Sequence, residues 1–289
     1  MIRLYLLPRN VDLRAMAKGE WAIVTGATDG IGKAYSFELA RRGFNIVLIS
    51  RNQHKLDDVK RDIEEKYPNI KVKTIAFNFA NHVKSTEYQP MFEELNQLEI
   101  GMLVNNVGIG YDYPDNLLKI EDGLNLFPDI VIVNMLPVTL LTAAIMPQMI
   151  KRCAGIIVNI SSITGVYPMT LWGVYSSTKA YVNWFSDMLR REYPNKGVTI
   201  QSISPALVCS NLSKKKRPSF FIPDADTFAR SAISTIGLTE KTSGYIGHQI
   251  QTDMAKLVPS FLGDFFLDRK VWEIRRAALR RKAREAKGK

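Results

Sequence analysis

Trp21-Ala22-Ile23-Val24-Thr25-Gly26-Ala27-Thr28-Asp29-Gly30-Ile31-Gly32 is the stretch that settles the architecture. Trp21 to Thr25 reads as a short buried strand. A glycine turn follows at once, and a helix is expected from Ile31 to Arg42, stopped by Gly43. Strand, glycine turn and helix together make a nucleotide-phosphate site. Gly26 allows the tight turn, Gly30 lets a pyrophosphate approach the backbone, and Gly32 lets the helix pack close to the strand. The competing reading is a plain βα turn.

Working outward, the same alternation repeats. Asn45–Ser50 reads as a second strand with Arg51 beyond its end. An acidic residue there would hold a ribose 2′-hydroxyl, whereas an arginine accommodates a 2′-phosphate, so Arg51 points to NADP(H); the alternative is a surface arginine paired with Asp57 or Asp58. Gln53–Tyr67 is an amphipathic helix stopped by Pro68. Val72–Phe77 is a third strand ending in Asn78, and residues 86–97 are helical. Gly101–Val104 is a fourth strand leading to Asn105-Asn106-Val107-Gly108, whose amides suit either backbone or an adenosine moiety. A long helix is expected from Phe127 to Arg152, interrupted by Pro137 and Pro147. Within it, the amide of Asn134 must find hydrogen bonds or cap a proline kink. Gly155–Ile160 is a fifth strand, Tyr175–Arg191 a helix, and Val198–Ser204 a sixth strand. Asp224 caps a helix running to Gly237, and Gly244–His248 reads as a last short strand.

Strands alternating with helices imply an α/β fold: one doubly wound parallel sheet of Rossmann type. The expected organisation is a leader strapped to the surface (1–20), the sheet domain (21–250) and an apolar then basic helical extension (251–289).

Hydrophobic residues make up 46% of the chain, ample for a core. The net charge of +11 is local: residues 269–289 hold ten Lys/Arg against two Glu, leaving +3 for the other 268 residues. Cys153 and Cys209 form no disulfide framework and fit a reducing, intracellular compartment. His54, His82 and His248 lack ligand spacing, so no metal is expected. Leu4-Tyr5-Leu6-Leu7, broken by Pro8, is too short for a signal peptide or a membrane span. No other run is read as a membrane span. Nucleic-acid binding is disfavoured, because the basic tail has Trp272 as its lone aromatic and the body is nearly neutral.

The chemistry sits where the fifth strand ends. Tyr175 and Lys179 are i,i+4 and share a helix face. An ammonium near a phenol favours the phenolate and makes Tyr175 a better acid near neutral pH. Ser162, thirteen positions earlier at a strand's carboxyl end, can meet Tyr175 across the crevice where α/β sheets bind ligands. Two hydroxyls and a lysine converging there suit the proton half of a carbonyl reduction.

Thr25-Gly26 through Gly30-Ile31-Gly32, Asn105-Asn106-Val107-Gly108, and the set Asn134, Ser162, Tyr175 and Lys179 resemble the short-chain dehydrogenase/reductase family over about residues 21–250. Within it, Ile49-Ser50-Arg51, Tyr111-Asp-Tyr-Pro114 and Gly244-Tyr245 are similar to the microsomal 17β-hydroxysteroid dehydrogenases and 3-oxoacyl-CoA reductases. The resemblance implies NADP(H), with Gly26, Thr28, Asp29, Gly30, Ile31 and Gly32 at the pyrophosphate end, Arg51 at the 2′-phosphate, and Asn78, Asn105 and Asn106 toward the adenosine. Pro205, Val208 and Ser210 would flank the nicotinamide, Ser210 meeting its carboxamide. Lys179 would bond the nicotinamide ribose and lower the Tyr175 pKa. Ser162 would hold the substrate carbonyl, Tyr175 would give the proton, and Asn134 would hold a relay water. Three departures stand out. Asn78 replaces an acid, Ala206 replaces a glycine after Pro205, and no N-terminal membrane segment of the kind the microsomal relatives carry is expected from residues 1–20.

Residues 206–226 should cover the substrate. Phe220, Phe221 and Ile222 there fit a steroid or long acyl chain, or else belong to the core, and Lys214-Lys215-Lys216-Arg217 sits in the same loop. Phe261, Phe265, Phe266 and Leu267 beside the +8 segment suit an anionic membrane surface, such as the cytosolic face of the endoplasmic reticulum; equally, they pack on the domain or a partner subunit and the basic helix is solvated. A homodimer through the helices at 127–152 and 175–191 is implied by the resemblance, and the catalytically dead binding protein of the same fold is the rival reading.

Overall fold

The computed structural model describes residues 3–6, 11–215, 217–258 and 260–287; Leu7, Pro8, Lys216 and the side chains of Phe261, Phe265 and Phe266 lie outside the described residues. In chain order the elements are α1 (Arg3–Leu6), α2 (Leu13–Ala17), β1 (Trp21–Thr25), α3 (Gly30–Arg41), β2 (Asn45–Ser50), α4 (Gln53–Lys66), β3 (Val72–Ala76), α5 (Gln89–Asn96), β4 (Ile100–Asn105), α6 (Gly123–Lys151), β5 (Gly155–Ile160), α7 (Gly173–Glu192), β6 (Val198–Ile203), α8 (Ala225–Ile233), β7 (Lys241–Thr242), α9 (Ile246–Leu257) and α10 (Ser260–Lys287).

The seven strands form one sheet in the order β3-β2-β1-β4-β5-β6-β7, every neighbouring pair parallel. β1, β4 and β5 are buried along their whole length, which explains their near-continuous apolar runs: helices cover both faces of a parallel sheet. One core joins Val24, Leu48, Val104 and Val158 to α3, α4 and α8. The other joins Ile23, Ile49, Leu103 and Ile157 to α5, α6 and α7. After β1 the chain winds outward to β2 and β3, then returns to place β4 on the other side of β1. That reversal opens a crevice at the carboxyl ends of β1 and β4, where such sheets hold ligands.

Four expectations change. Residues 11–19 are part of the fold rather than a surface strap: Asp12 caps α2 by accepting from the Arg14 and Ala15 amides, and Leu13 and Ala17 are buried in the core. The long helix begins at Gly123 and runs unbroken through Pro128, Pro137 and Pro147. Its buried apolar positions, Ile130, Val133, Val138, Leu141 and Ile145 among them, pack well enough to outweigh the missing donors. By length and composition α6 alone among the described residues could cross a membrane, yet half of it is buried against the sheet and α7. Gly244–His248 is not a strand. Gly244 turns left-handed (φ 78°), Tyr245 is the extended N-cap, and α9 starts at Ile246. The 250/251 boundary therefore falls inside α9, whose Gly247, His248, Gln249 and Thr252 are buried.

Candidate active site

The glycine turn is built as expected. Gly26 adopts φ 64°, and a Cβ on Gly32 would lie 2.3 Å from the Gly26 carbonyl oxygen, so α3 packs on β1 through a backbone contact that no side chain permits. Asn106 staples this turn to β4: its amide side chain donates to the carbonyls of Thr25 (2.9 Å) and Gly26 (3.3 Å), and its backbone N–H donates to Thr25 Oγ1. Thr28 Oγ1 lies 3.0 Å from Ser50 Oγ, tying the turn to the end of β2. Asp29 is the exposed N-cap of α3, and Gly30 and Ile31 are partly open in its first turn.

Arg51 is exposed and makes no ion pair among the described residues. The acids expected to compete for it are engaged elsewhere, Asp57 with Gln53 and Asp58 with Arg61 and His54. Asn78, after β3, accepts from the Ala80 amide at 3.3 Å in a local turn. Asn105 departs from its expected place toward the adenosine. It is buried, donating to Thr142 Oγ1 (3.1 Å) and Asn159 Oδ1 (2.8 Å), while Asn159 donates to Ser186 Oγ. This chain of amides and hydroxyls locks β4, β5, α6 and α7 together beneath the site. Val208 is likewise a core residue, so only its backbone can face the crevice.

The four catalytic candidates converge at the strand ends. Ser162 Oγ accepts from the Thr164 amide (3.2 Å) and hydroxyl (3.1 Å), which leaves its own proton to donate, and it hydrogen-bonds the Tyr175 phenol. Lys179 is 4% exposed and donates to the Ile160 carbonyl at 3.1 Å. Asn134, fully buried, accepts from the Ile109 amide and donates to the Ile109 carbonyl and to Thr178 Oγ1. Those bonds, not a proline kink, satisfy the amide. They also hold the turn at Gly108, where a Cβ would lie 3.1 Å from Lys179 Nζ and 3.2 Å from Asn134 Oδ1.

The electrostatics differ from the expectation that Lys179 makes Tyr175 more acidic. Burial pushes the phenol up to about 12, with the Ser162 hydrogen bond pulling the other way. Burial also pulls Lys179 down to about 8. The ammonium lies 5.9 Å from the phenol ring centroid, so the i,i+4 spacing brings the groups onto one face without a direct contact, and desolvation dominates both.

An aromatic wall completes the site. Trp172 packs on Tyr175 (5.7 Å between centroids), Tyr111 stacks on Trp172 (5.6 Å, 5° between planes), and the Tyr111 hydroxyl accepts from the Val174 amide. Sequence reasoning assigned Trp172 and Thr178 no role. Tyr111 was visible only through family likeness, whereas Thr178 had a local signal: as the third residue after Tyr175 it lies on the same turn and donates to the Tyr175 carbonyl.

Beyond the wall, segments distant in sequence meet. Lys214 pairs with Asp112 at 2.9 Å, joining the 206–223 loop to the 110–122 loop. The basic helix α10 also docks there. Arg275 makes a two-pronged pair with Asp115 (2.7 and 3.1 Å), Lys282 pairs with Glu121 and sits over the Tyr113 ring, and Thr170 bonds Asp268. Burial opposes ionisation of Asp115, but Arg275 and the Asn116 amide hold it below the usual carboxylate range. Phe220 and Phe221 are about half exposed and so are not core; Leu117, Leu118, Leu207 and Leu212 are exposed on the same two loops.

Sequence comparison agrees with this geometry. A very-long-chain 3-oxoacyl-CoA reductase of Caenorhabditis briggsae is 52% identical over 98% of this chain and 89% of that protein. A very-long-chain 3-oxoacyl-CoA reductase of Mus musculus is 45% identical over 84% of this chain and 77% of that one. Among solved structures, a metagenomic short-chain oxidoreductase in complex with NADP is 25% identical with a TM-score of 0.62, covering 77% of this chain and 95% of that one. The sequence pattern that defines the short chain dehydrogenases matches residues 20–219, the span that carries the glycine turn, Ser162, Tyr175 and Lys179. With that span and with a relative 52% identical over 98% of this chain, the chain belongs to the short-chain dehydrogenase family.

Proposed function

We propose that this chain reduces the 3-oxo group of a long-chain acyl-CoA to the secondary alcohol at the Ser162–Tyr175 pair. At the coarser level it is an NADP(H)-dependent oxidoreductase working between a ketone and an alcohol. The carrying observation is the hydroxyl pair itself: Ser162, with its acceptor capacity occupied by Thr164, bonds Tyr175 at a strand end walled by Trp172 and Tyr111.

The residues present fit the cofactor. Gly30 leaves bare backbone facing Ser210, where a Cβ would lie 3.0 Å from the serine Cβ, and Arg51 is an exposed cation without an ion pair among the described residues. Gly26–Gly32 would hold the pyrophosphate, Arg51 the 2′-phosphate, Lys179 the nicotinamide ribose, and the Pro205–Ser210 segment the nicotinamide half. Bound NADPH supplies the hydride. Tyr175, protonated at neutral pH because its pKa stands near 12, gives the proton to the carbonyl oxygen. Ser162 donates a second hydrogen bond to that oxygen. Lys179, largely protonated below about 8, stabilises the phenolate left behind. Asn134 keeps the Gly108–Ile109 turn in place between them.

The substrate reading is supported by the relatives' names and by the lid that the 110–122 and 206–223 loops form together. Its exposed Leu117, Leu118, Leu212, Phe220 and Phe221 suit an acyl chain, and exposed Lys214, Lys215 and Arg217 suit the phosphates of coenzyme A. The same lid and α10 support a peripheral position on an anionic membrane, with Met254 and Leu257 of α9 exposed beside the basic helix. A homodimer through α6 and α7 is supported by exposed Trp184 and Val131.

Turnover with a long-chain 3-oxoacyl-CoA, estrone and androstenedione tests the reading. The 3-oxoacyl-CoA should be reduced at its ketone fastest with NADPH, and Tyr175→Phe should lose about a hundred- to ten-thousand-fold in kcat with NADPH binding intact. Preferential reduction of the steroids would overturn the substrate assignment, and near-normal turnover by Tyr175→Phe would remove it from the mechanism.

A further inference from the structure

Every residue from Ser204 to Ser210, the segment leaving β6, is tied down by at least one hydrogen bond. The Ser204 amide donates to Thr242, the Pro205 carbonyl accepts from Ile163, the Cys209 amide donates to Pro223, and the Val208 carbonyl and Ser210 hydroxyl accept from Ser213. At the centre a single ring acts twice. His248 Nδ1 accepts from the Ala206 amide at 3.3 Å, and His248 Nε2 meets the Leu207 carbonyl at 3.1 Å.

The partners dictate the state of the ring. A peptide N–H can only donate and a peptide carbonyl can only accept, so the imidazole must be neutral with its proton on Nε2. Full burial between Phe228 and Tyr245 favours the same state, pulling the pKa down to about 4. His248 reaches the segment from the first turn of α9, which the Tyr245 N-cap sets after the left-handed Gly244. The adjacent Gly247 packs so closely on the Phe220 carbonyl that a Cβ would lie 2.3 Å from it.

We propose that His248 is a positioning residue for the reduction: its two bonds fix the Ala206 and Leu207 peptides so that the Pro205–Ser210 segment is preformed for the nicotinamide half of the cofactor. This rests on the placement of NADP(H) given above. Ala206 would otherwise be held only by its neighbours, and its N–H and the Leu207 carbonyl would be left without partners. α9 thereby joins the substrate lid to the hydride end of the site.

The test compares His248→Phe, which keeps ring volume and loses both bonds, with His248→Gln, whose carbonyl and amide can accept and donate as the ring does. Dissociation constants are measured for NADPH and for adenosine 2′,5′-bisphosphate, which carries the adenosine and 2′-phosphate groups without the nicotinamide. One buried unpaired group typically costs about tenfold in an equilibrium constant. His248→Phe should therefore weaken NADPH by about tenfold or more and leave the bisphosphate within about twofold, while His248→Gln recovers most of the loss. Equal weakening of both ligands, or unchanged NADPH binding in His248→Phe, overturns the proposal. Imidazole 15N shifts of the wild-type protein decide independently of any variant's folding: a neutral ring protonated on Nε2 from pH 5 to 8 is expected, and a protonated ring or the other tautomer overturns it. Failure of the wild type to bind NADPH at all would overturn the cofactor placement beneath it.

Discussion

Replacing Lys179 with methionine should abolish turnover and make the protein more stable. Lys179 is 4% exposed, and its one hydrogen bond among the described residues, to the Ile160 carbonyl, does not compensate for the water it gives up. Its pKa falls from 10.5 to about 8 through burial. That displacement corresponds to about 3 kcal/mol of unfavourable free energy at pH 7, where the lysine is protonated folded and unfolded alike. Between pH 8 and 10.5 the unfolded chain holds a proton that the folded chain has released, so stability rises with pH and the penalty falls to about 1.4 kcal/mol by pH 9.5. Methionine removes the penalty but leaves the Ile160 carbonyl unpaired, at about 1 kcal/mol. Lys179→Met should therefore be about 2 kcal/mol more stable than wild type at pH 7, or about 4 °C in Tm for a chain of this size, and nearly equal at pH 9.5. Urea denaturation of both proteins without cofactor, followed by tryptophan fluorescence at pH 7, 8, 9 and 9.5, measures the difference directly. A methionine variant less stable at pH 7, or a difference that does not shrink as pH rises, would refute the view that an active-site ammonium is held here against its solvation.

Arg51→Asp should weaken NADPH sharply and improve NADH relative to it, read from kcat/KM with both cofactors; equal use of both by the wild type would sink the argument from Arg51. Exchanging Arg276, Arg280 and Arg284, exposed on α10, for glutamate should cut co-sedimentation with anionic vesicles by tenfold or more, since each basic residue near such a surface contributes about 1 kcal/mol. Binding that is unchanged, or absent from the wild type at physiological salt, would leave α10 as a strap on the lid and nothing more. Trp184→Glu should shift a dimer to monomer in light scattering if α7 forms the pairing surface, and an unaltered mass would place any dimer elsewhere.

Local chemistry was enough to read most of the sheet and the frame of the site. Buried parallel strands are continuous apolar runs, so Trp21–Thr25, Asn45–Ser50 and Gly155–Ile160 stood out with the observed boundaries. Gly26 and Gly32 were legible because backbone conformation and backbone contact leave no alternative residue, and Tyr175 and Lys179 because helical spacing puts them on one face. Asp224 capped its helix as its residue type predicts. The long helix through Pro137 and the start of α9 were misread because local breakers and apolar runs say nothing about the packing that overrides them.

Tertiary structure alone decided the rest, in each case because the deciding partner is remote along the chain. Asn105 and Asn106 are adjacent and chemically identical, yet one enters the core to meet Thr142 and Asn159 while the other staples the glycine turn. The basic helix docks on its own lid through Arg275 and Asp115, 160 residues apart. Tyr175 and Lys179 take their proton affinities from what surrounds them rather than from each other. The water excluded by Trp172, Tyr111 and the sheet ends shifts both groups toward their neutral forms, and desolvation of that kind depends on the packed environment, not on spacing along a helix.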